Sequence, residues 1–270
     1  MADLNESFQQ AMCYVILSRI VNITQLFLKP FDQKKIYCNE AAKTEVTRIK
    51  KESLTKIKTN WDTSESIKIA SLNIRSLKKH SEDLENDAYL NKSDIICISE
   101  TWLTENLIGK FCNFPYQFFK NEGSEGVALL SKMKANDVQM INNSLFSMVI
   151  ASYDKFVLIN VYRFSKNRGY KEFTKQFLEN IQKYMEQSII ICGDFNLDHI
   201  SESNNLFTKT VKSLSFNYLV SKSTHILGGC IDNVYFRCKN ENISIEFNKL
   251  HPLYFSDHDA VCFFVNTKES

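Results

Sequence analysis

Two short stretches of this chain carry groups able to do acid–base and metal chemistry. Residues 189–196 read I-I-I-C-G-D-F-N, and residues 256–261 read S-D-H-D-A-V. In each, an apolar run meets carboxylate, amide or imidazole with nothing between. Such a run reads as a buried strand, and strand ends at the rim of a sheet are where α/β proteins place ligands. Four more segments make the same change. Residues 67–72 end in Asn73, 94–99 in Glu100-Thr101-Trp102 and 157–161 in Tyr162-Arg163, and the pair Asp232-Asn233 comes later. One such change is commonplace, since every strand ends somewhere. A set of Asn, Glu, Tyr, Asp/Asn, Asp and Asp/His is not.

The set suits phosphodiester cleavage. A hard cation such as Mg²⁺ takes carboxylate and amide oxygens, which Glu100, Asn73 and Asp257 would supply. Such a cation polarises a phosphate and stabilises a departing oxygen. His258 has the intrinsic pKa of a general base, with Asp232 to orient it. Asp194 is the alternative group for positioning or activating the water. Asn196 and Tyr162 are neutral donors for phosphoryl oxygens. Taken singly, each residue has an ordinary reading. Glu100 or Asp232 would be a surface carboxylate or turn cap, and Asn73 a cap for the next segment. Gly193 would be chosen for its backbone, and Trp102 and Phe195 would be core. The case rests on the set.

The elements that must position these residues occupy the chain from Ile67 onward. Strands are expected at 67–73, 94–99, 126–131, 147–152, 155–161, 188–193, 232–236 and 259–265. Helices are expected at 78–91 and 169–186, with a shorter one over 206–214. Several strands and few helices imply an α/β layered sandwich rather than a regular βαβ repeat. Before Ile67 lie two further zones. Residues 1–41 hold a short apolar segment and a turn at Lys29-Pro30-Phe31-Asp32. Residues 42–66 are charged with sparse apolar positions, which reads as a helical linker.

Composition narrows the function classes. A hydrophobic fraction of 44% and an aromatic fraction of 12% fit a packed chain, not a disordered one. The net charge of +2 neither demands nor excludes nucleic acid, because a basic groove can hide inside a neutral total. Lys78, Lys79, Lys132, Lys134, Arg163, Lys166, Arg168 and Lys171 could line a phosphate groove or form a solvated face. Among the eight cysteines, Cys97, Cys192 and Cys262 sit inside apolar runs as small core hydrophobes. No C-x-x-C occurs, so zinc-ribbon and thioredoxin-type readings have no support. Reduced thiols and an intracellular, nuclear location are expected. No secretory signal is evident, and no apolar run approaches the ~18 residues that cross a bilayer. A soluble monomer with no membrane partner is expected.

In this order, the set resembles the endonuclease/exonuclease/phosphatase superfamily. That group includes apurinic endonucleases, deoxyribonuclease I, inositol polyphosphate phosphatases, sphingomyelinases and the endonucleases of non-LTR retrotransposons. The matching segments are S-L-N-I-R-S-L at 71–77, I-S-E-T-W-L at 98–103, V-Y-R at 161–163, C-G-D-F-N at 192–196, I-D-N-V at 231–234 and S-D-H at 256–258. The resemblance covers about residues 67–266. The resemblance implies a four-layer α/β sandwich of two packed mixed sheets flanked by helices, and dependence on Mg²⁺ or Mn²⁺. It makes Asn73, Glu100 and Asp257 metal-side groups and Asp194 the residue that activates or positions the nucleophile. Asn196 and Tyr162 would hold phosphate oxygens, and Asp232 and His258 would form the acid–imidazole pair. The L-N-I-R-S-L and S-E-T-W-L wording is closest to retroelement endonucleases. One departure stands out. Many repair endonucleases carry an acidic residue two after the first Asn, where this chain has Arg75, which argues against abasic-site specificity and a second metal ligand there. Phe164-Ser165 also stands where retroelement enzymes often have a Pro pair, and Glu125-Gly126 where a Gly-Gly is usual.

Residues 10–19, Q-A-M-C-Y-V-I-L-S-R, are similar to the last motif of superfamily 1 DNA helicases of the petite-integration-frequency type. Arg19 would be their γ-phosphate arginine. No G-x-x-x-x-G-K-[ST] loop occurs, so no ATPase is expected. A helicase remnant ahead of such a nuclease is similar to the Helitron/Helentron arrangement and implies a transposon-derived chain. The expectation is a metal-dependent endonuclease acting on DNA. The alternatives are a phosphatase of the same superfamily and an inactive nucleic-acid-binding remnant.

Overall fold

The apolar runs become the inner strands of two six-stranded sheets. The computed structural model describes residue 61 and residues 65–103, 114–120, 126–164, 169–202, 204–239 and 241–268. The helicase-like segment and nearly all of the charged segment lie outside them. The first sheet contains β1 (Ile67–Asn73), β2 (Ile95–Ser99), β3 (Tyr116–Lys120), β4 (Val127–Ser131), β11 (Ile243–His251) and β12 (Ala260–Thr267), in the order β11-β12-β1-β2-β4-β3. The second contains β5 (Asp137–Asn142), β6 (Phe146–Ser152), β7 (Val157–Arg163), β8 (Ile189–Asp194), β9 (Asn217–Tyr218) and β10 (Asp232–Arg237), in the order β5-β6-β7-β8-β10-β9. Both sheets are mixed. Only β1 with β2, and β7 with β8, pair in parallel.

Side-chain alternation builds the layers. Ile69, Cys97, Leu129, Leu158, Ile190, Cys192, Val234 and Phe263 face inward and fill the space between the sheets. Their strand neighbours face outward. On the first sheet, Leu72, Ile96 and Cys262 pack under Leu77 and Leu84 of α1 (Leu77–Asn86). On the second, Ile189 and Ile191 pack under Phe173 and Phe177 of α2 (Tyr170–Ile181) and Phe207 of α3 (Leu206–Ser213). The result is the four-layer α/β sandwich. Continuous apolar runs are required of strands covered on both faces, which is why the inner strands read so clearly. The core also reaches back to Trp61, which is buried and stacks on Tyr89 at 4.7 Å between ring centroids.

α1 ends sooner than its apolar pattern suggests. Asp87 takes an extended conformation, and its Oδ1 accepts the N–H groups of Tyr89 and Leu90 at 2.9 and 2.8 Å. That side chain replaces the helical carbonyl as acceptor and turns the chain. One polar side chain also ties the sheets together. Asn160 of β7 donates through Nδ2 to the carbonyls of Ile98 and Ala128, each at 2.9 Å. It lies two residues before Tyr162, and Ile98 two before Glu100, so the clamp fixes the strand ends that carry those groups.

Candidate active site

Strand register delivers the polar set to one end of the sandwich. In the first sheet, Asn73 pairs with Ser99, which puts Glu100 beside the end of β1. Ser71 pairs with Val261 of antiparallel β12, so Asp257 and His258 arrive at the same end. In the second sheet, Tyr162 pairs with Asp194, and Asp194 with Asp232. All eight expected residues, Asn73, Glu100, Tyr162, Asp194, Asn196, Asp232, Asp257 and His258, gather there.

The backbone at this rim is strained. Among the described residues, six non-glycine positions have positive φ, and five of them are Arg75, Ser76, Glu100, Trp102 and Asn196. Each costs about 1–3 kcal/mol and persists only where its surroundings demand it. Gly193 has a φ of +135°, and a Cβ there would lie 1.9 Å from the carbonyl oxygen of Val161. Only glycine lets β8 approach β7 closely enough to present Asp194.

One amide joins the two sheets' carboxylates. Asn73 Nδ2 donates to Glu100 Oε1 at 2.9 Å and to Asp194 Oδ2 at 3.0 Å. Its Oδ1 accepts the Arg75 N–H at 3.1 Å. Glu100 also accepts from the Tyr162 hydroxyl at 3.0 Å and from Trp102 Nε1 at 3.2 Å. The buried Asp194 accepts the Asn196 N–H at 2.8 Å through Oδ1. Asn196 closes that turn with a 2.6 Å bond from Nδ2 to the carbonyl of Arg163. Burial, with Asp232 nearby, pushes Asp194 up to about 7, against the pull of His258 and the N–H donors.

The imidazole is anchored from behind. His258 Nδ1 lies 2.8 Å from Asp232 Oδ2, the oxygen that also accepts the Thr224 hydroxyl at 2.8 Å. With Nδ1 engaged, Nε2 is the nitrogen on the open side, 3.8 Å from Asp257 Oδ1. Burial opposes the charge on His258, but Asp232, Asp194 and Asp257 outweigh it and push the ring up to about 9. The surrounding carboxylates thus favour the imidazolium form of His258, while burial favours the protonated form of Asp194. Ligand atoms of Asp194, Asp232 and His258 lie within 4.8 Å of one another.

Asp257 keeps different company. Its Oδ2 accepts from Arg75 Nη1 at 2.7 Å and lies 3.5 Å from His225 Nε2. The His225 ring meets the His258 ring edge-on at 4.7 Å.

Residues 70–258 match the model of the Endonuclease/Exonuclease/phosphatase family. The chain belongs to this family. Its members are hydrolases acting on phosphodiester bonds, as nucleases or phosphatases, and the family's nucleases generally use divalent metal ions. The chain is 31% identical over 158 residues to Recombination repair protein 1 of Drosophila melanogaster, a match over 50% of this chain and 22% of that protein. It therefore spans about a fifth of that relative's length. Among solved structures it is similar to the 3′-5′ exonuclease NExo of Neisseria meningitidis, at TM-score 0.56 and 15% identity over 74% of this chain and all of that one. It is also similar to the endonuclease domain of TRAS1, a telomere-specific non-LTR retrotransposon, at TM-score 0.53 and 14% identity over 76% of this chain and 100% of that one. These two likenesses establish the fold. The family match begins at residue 70, so the helicase-like reading of residues 1–41 draws nothing from it.

Several expectations for this family site change. Trp102, expected in the core, is half exposed at the rim with its N–H on Glu100. Arg163, expected either to line a phosphate groove or to sit on a solvated face, is buried. It donates through Nη1 to the carbonyls of Phe195 and Asn196 and lies over the Tyr170 ring at 4.7 Å. It therefore braces the turn after Asp194. Lys132 and Lys134 follow the end of β4 that pairs with Ile95, away from Glu100, so they do not line this mouth. Thr224 and His225 were not anticipated. They sit in a polar loop with no apolar run to mark it, and only the structure shows them against Asp232 and Asp257.

Proposed function

We propose that this chain is a metal-dependent endonuclease that hydrolyses phosphodiester bonds in DNA. The observation that carries the reading is the Asn73 bridge: one amide nitrogen aligns Glu100 and Asp194 from opposite sheets, and Asp194 in turn lies against the Asp232–His258 pair. That arrangement sets a cation-type carboxylate, a proton acceptor and an oriented imidazole around one cleft.

The donor chemistry fits a divalent cation at Glu100. Its oxygens accept from Asn73, Tyr162 and Trp102, all neutral donors, and no Lys, Arg or His pairs with it among the described residues. A carboxylate fixed in place with no counter-charge is what Mg²⁺ or Mn²⁺ takes. Glu100 would hold the ion, with Asn73 beside it; the third group expected from the sequence, Asp257, is engaged by Arg75. Such an ion, when bound, neutralises charge on a phosphate oxygen.

The chain's own groups account for the rest. Asp194 takes a proton from the attacking water, aimed by the N–H groups of Asn73 and Asn196. His258, its Nδ1 engaged by Asp232, presents Nε2 to a phosphoryl oxygen. Tyr162 holds Glu100 in place. The retroelement-like wording at 71–77 and 98–103 and the likeness to the TRAS1 endonuclease domain support a transposon-derived enzyme.

Incubation with supercoiled plasmid and Mg²⁺ tests the reading. Nicking is expected, and Asp194→Ala should slow it about 10³-fold. Intact plasmid with phosphate released from inositol phosphates would make the chain a phosphatase. Binding without cutting in any metal would make it an inactive remnant.

A further inference from the structure

Arg75 stands where a cleft of four carboxylates opens. Its guanidinium is 55% exposed and makes one side-chain hydrogen bond among the described residues, through Nη1 to Asp257 Oδ2. Stability does not account for this pair. A half-exposed ion pair contributes about 0–1 kcal/mol, while Arg75 sits at a φ of 53° and Ser76 at 143°, each costing about 1–3 kcal/mol. The turn is held in a costly shape that lays the guanidinium on Asp257 and leaves most of its donors facing solvent.

The cleft has need of such a group. Glu100, Asp194 and Asp257 gather at it, with Asp232 behind His258, and a phosphodiester anion must enter among them. Arg163 is buried and turned onto backbone carbonyls. Lys78 and Lys79 lie in the first turn of α1, and among the described residues Arg75 is the one that forms an ion pair with Asp257 through a guanidinium. Among the described residues, Arg75 is the permanent cation seated on the cluster and still open to solvent. A guanidinium presents a planar fork of N–H donors that matches phosphate oxygens, and holding it in place lowers the cost of engaging them.

We propose that Arg75 is a substrate-contacting residue that grips a phosphate of the bound nucleic acid at the mouth of the site, and that Asp257 is its positioning residue rather than a cation ligand. This rests on the nuclease reading above and deepens it. Asp257 already has its counter-charge in Arg75, with His225 3.5 Å away. Among the described residues Glu100 has none and stays open to a cation, whereas the second Asp257 oxygen, buried without a hydrogen-bond partner, lies 3.8 Å from His258 Nε2. The residue that departs from the repair-enzyme pattern thus exchanges an acidic group for a fixed phosphate clamp.

The test combines binding and turnover. Affinity for a short DNA duplex is measured by fluorescence anisotropy across a salt series, with Ca²⁺ in place of Mg²⁺. Arg75→Met should lower the slope of log affinity against log salt by about one, the signature of one lost phosphate contact. Nicking kcat/KM should fall about 10²-fold. Arg75→Lys should restore the slope and only part of the rate, because it lacks the planar fork. Asp257→Asn should keep the slope and lower kcat, and in the Arg75→Met background it should cost nothing more. Mn²⁺ affinity, read by calorimetry, should survive Asp257→Asn. An unchanged slope in Arg75→Met overturns the phosphate contact. A further loss in the double variant, or lost Mn²⁺ affinity in Asp257→Asn, overturns the positioning role. A parent protein that binds duplex but cuts nothing overturns the nuclease reading alone, and the slope still decides Arg75.

Discussion

Glu100 and Asp257 stand at the same mouth and live in opposite surroundings. Glu100 is held by an amide, a phenol and an indole, all neutral. Asp257 is held by a guanidinium, with an imidazole near the same oxygen. Neutral donors fix a carboxylate without cancelling its charge, whereas a guanidinium fixes and cancels it together. Two carboxylates that look interchangeable in the sequence are thus prepared for different partners, one for a cation and the other for an arginine that meets an anion.

Removing the charge at the first end should have the larger effect. Glu100→Gln keeps the shape and most of the hydrogen bonds, yet Mg²⁺-dependent nicking should fall about 10³-fold, and calorimetry should show Mn²⁺ affinity lost. If Glu100→Gln binds Mn²⁺ as well as its parent, the contrast between the two carboxylates collapses. Next comes Asp232→Asn, which leaves Glu100 untouched and removes the charge behind His258. Nicking should fall about 10²-fold while Mn²⁺ affinity holds, so the imidazole end and the cation end separate in one experiment. A smaller change sharpens the first end. Trp102→Phe deletes one neutral donor to Glu100, and a lost supporting hydrogen bond of this kind costs about 10-fold in metal affinity. A calorimetric titration indistinguishable from the parent's would mean that the indole only covers the rim.

What could be read in advance follows the same physics. The inner strands were legible because a strand covered on both faces has to be a continuous apolar run, as in I-I-I-C at 189–192. The four strands not expected, β3, β5, β9 and β11, are the outer members of the two sheets. β11 reads I-S-I-E-F-N-K-L-H, and most of it is partly or fully exposed. An edge strand protects itself with such polar residues, and the apolar-run signal disappears with them. In the site, the eight residues were legible because each follows or precedes a buried run. Thr224 and His225 were not, because their loop is placed by hydrogen bonds such as Ile226 N–H to the carbonyl of Asp257. Nor could spacing say that Arg75, 182 residues from Asp257 in sequence, would close onto it.

The smallest expected effect is on stability against pH in the metal-free protein. His258 is pushed above its ordinary 6.5 to about 9, so its ion pair with Asp232 stabilises the fold fully below pH 6.5 and less as pH rises through 9. Asp194 is pushed from 3.8 to about 7, mainly by burial, so its charged form burdens the fold progressively between those values. Both groups therefore make stability fall as pH rises, Asp194 in the lower window and His258 in the upper. Thermal melts in EDTA from pH 4 to 9.5 should show a declining midpoint. His258→Gln should flatten the decline above pH 7 and leave the part below it, because only the upper window belongs to the imidazole. A parent midpoint that stays flat between pH 7 and 9 would mean that His258 is neutral in the folded chain. The imidazole, not Asp194, would then be the site's proton acceptor at neutral pH, and the cationic side of the cleft would rest on Arg75 alone.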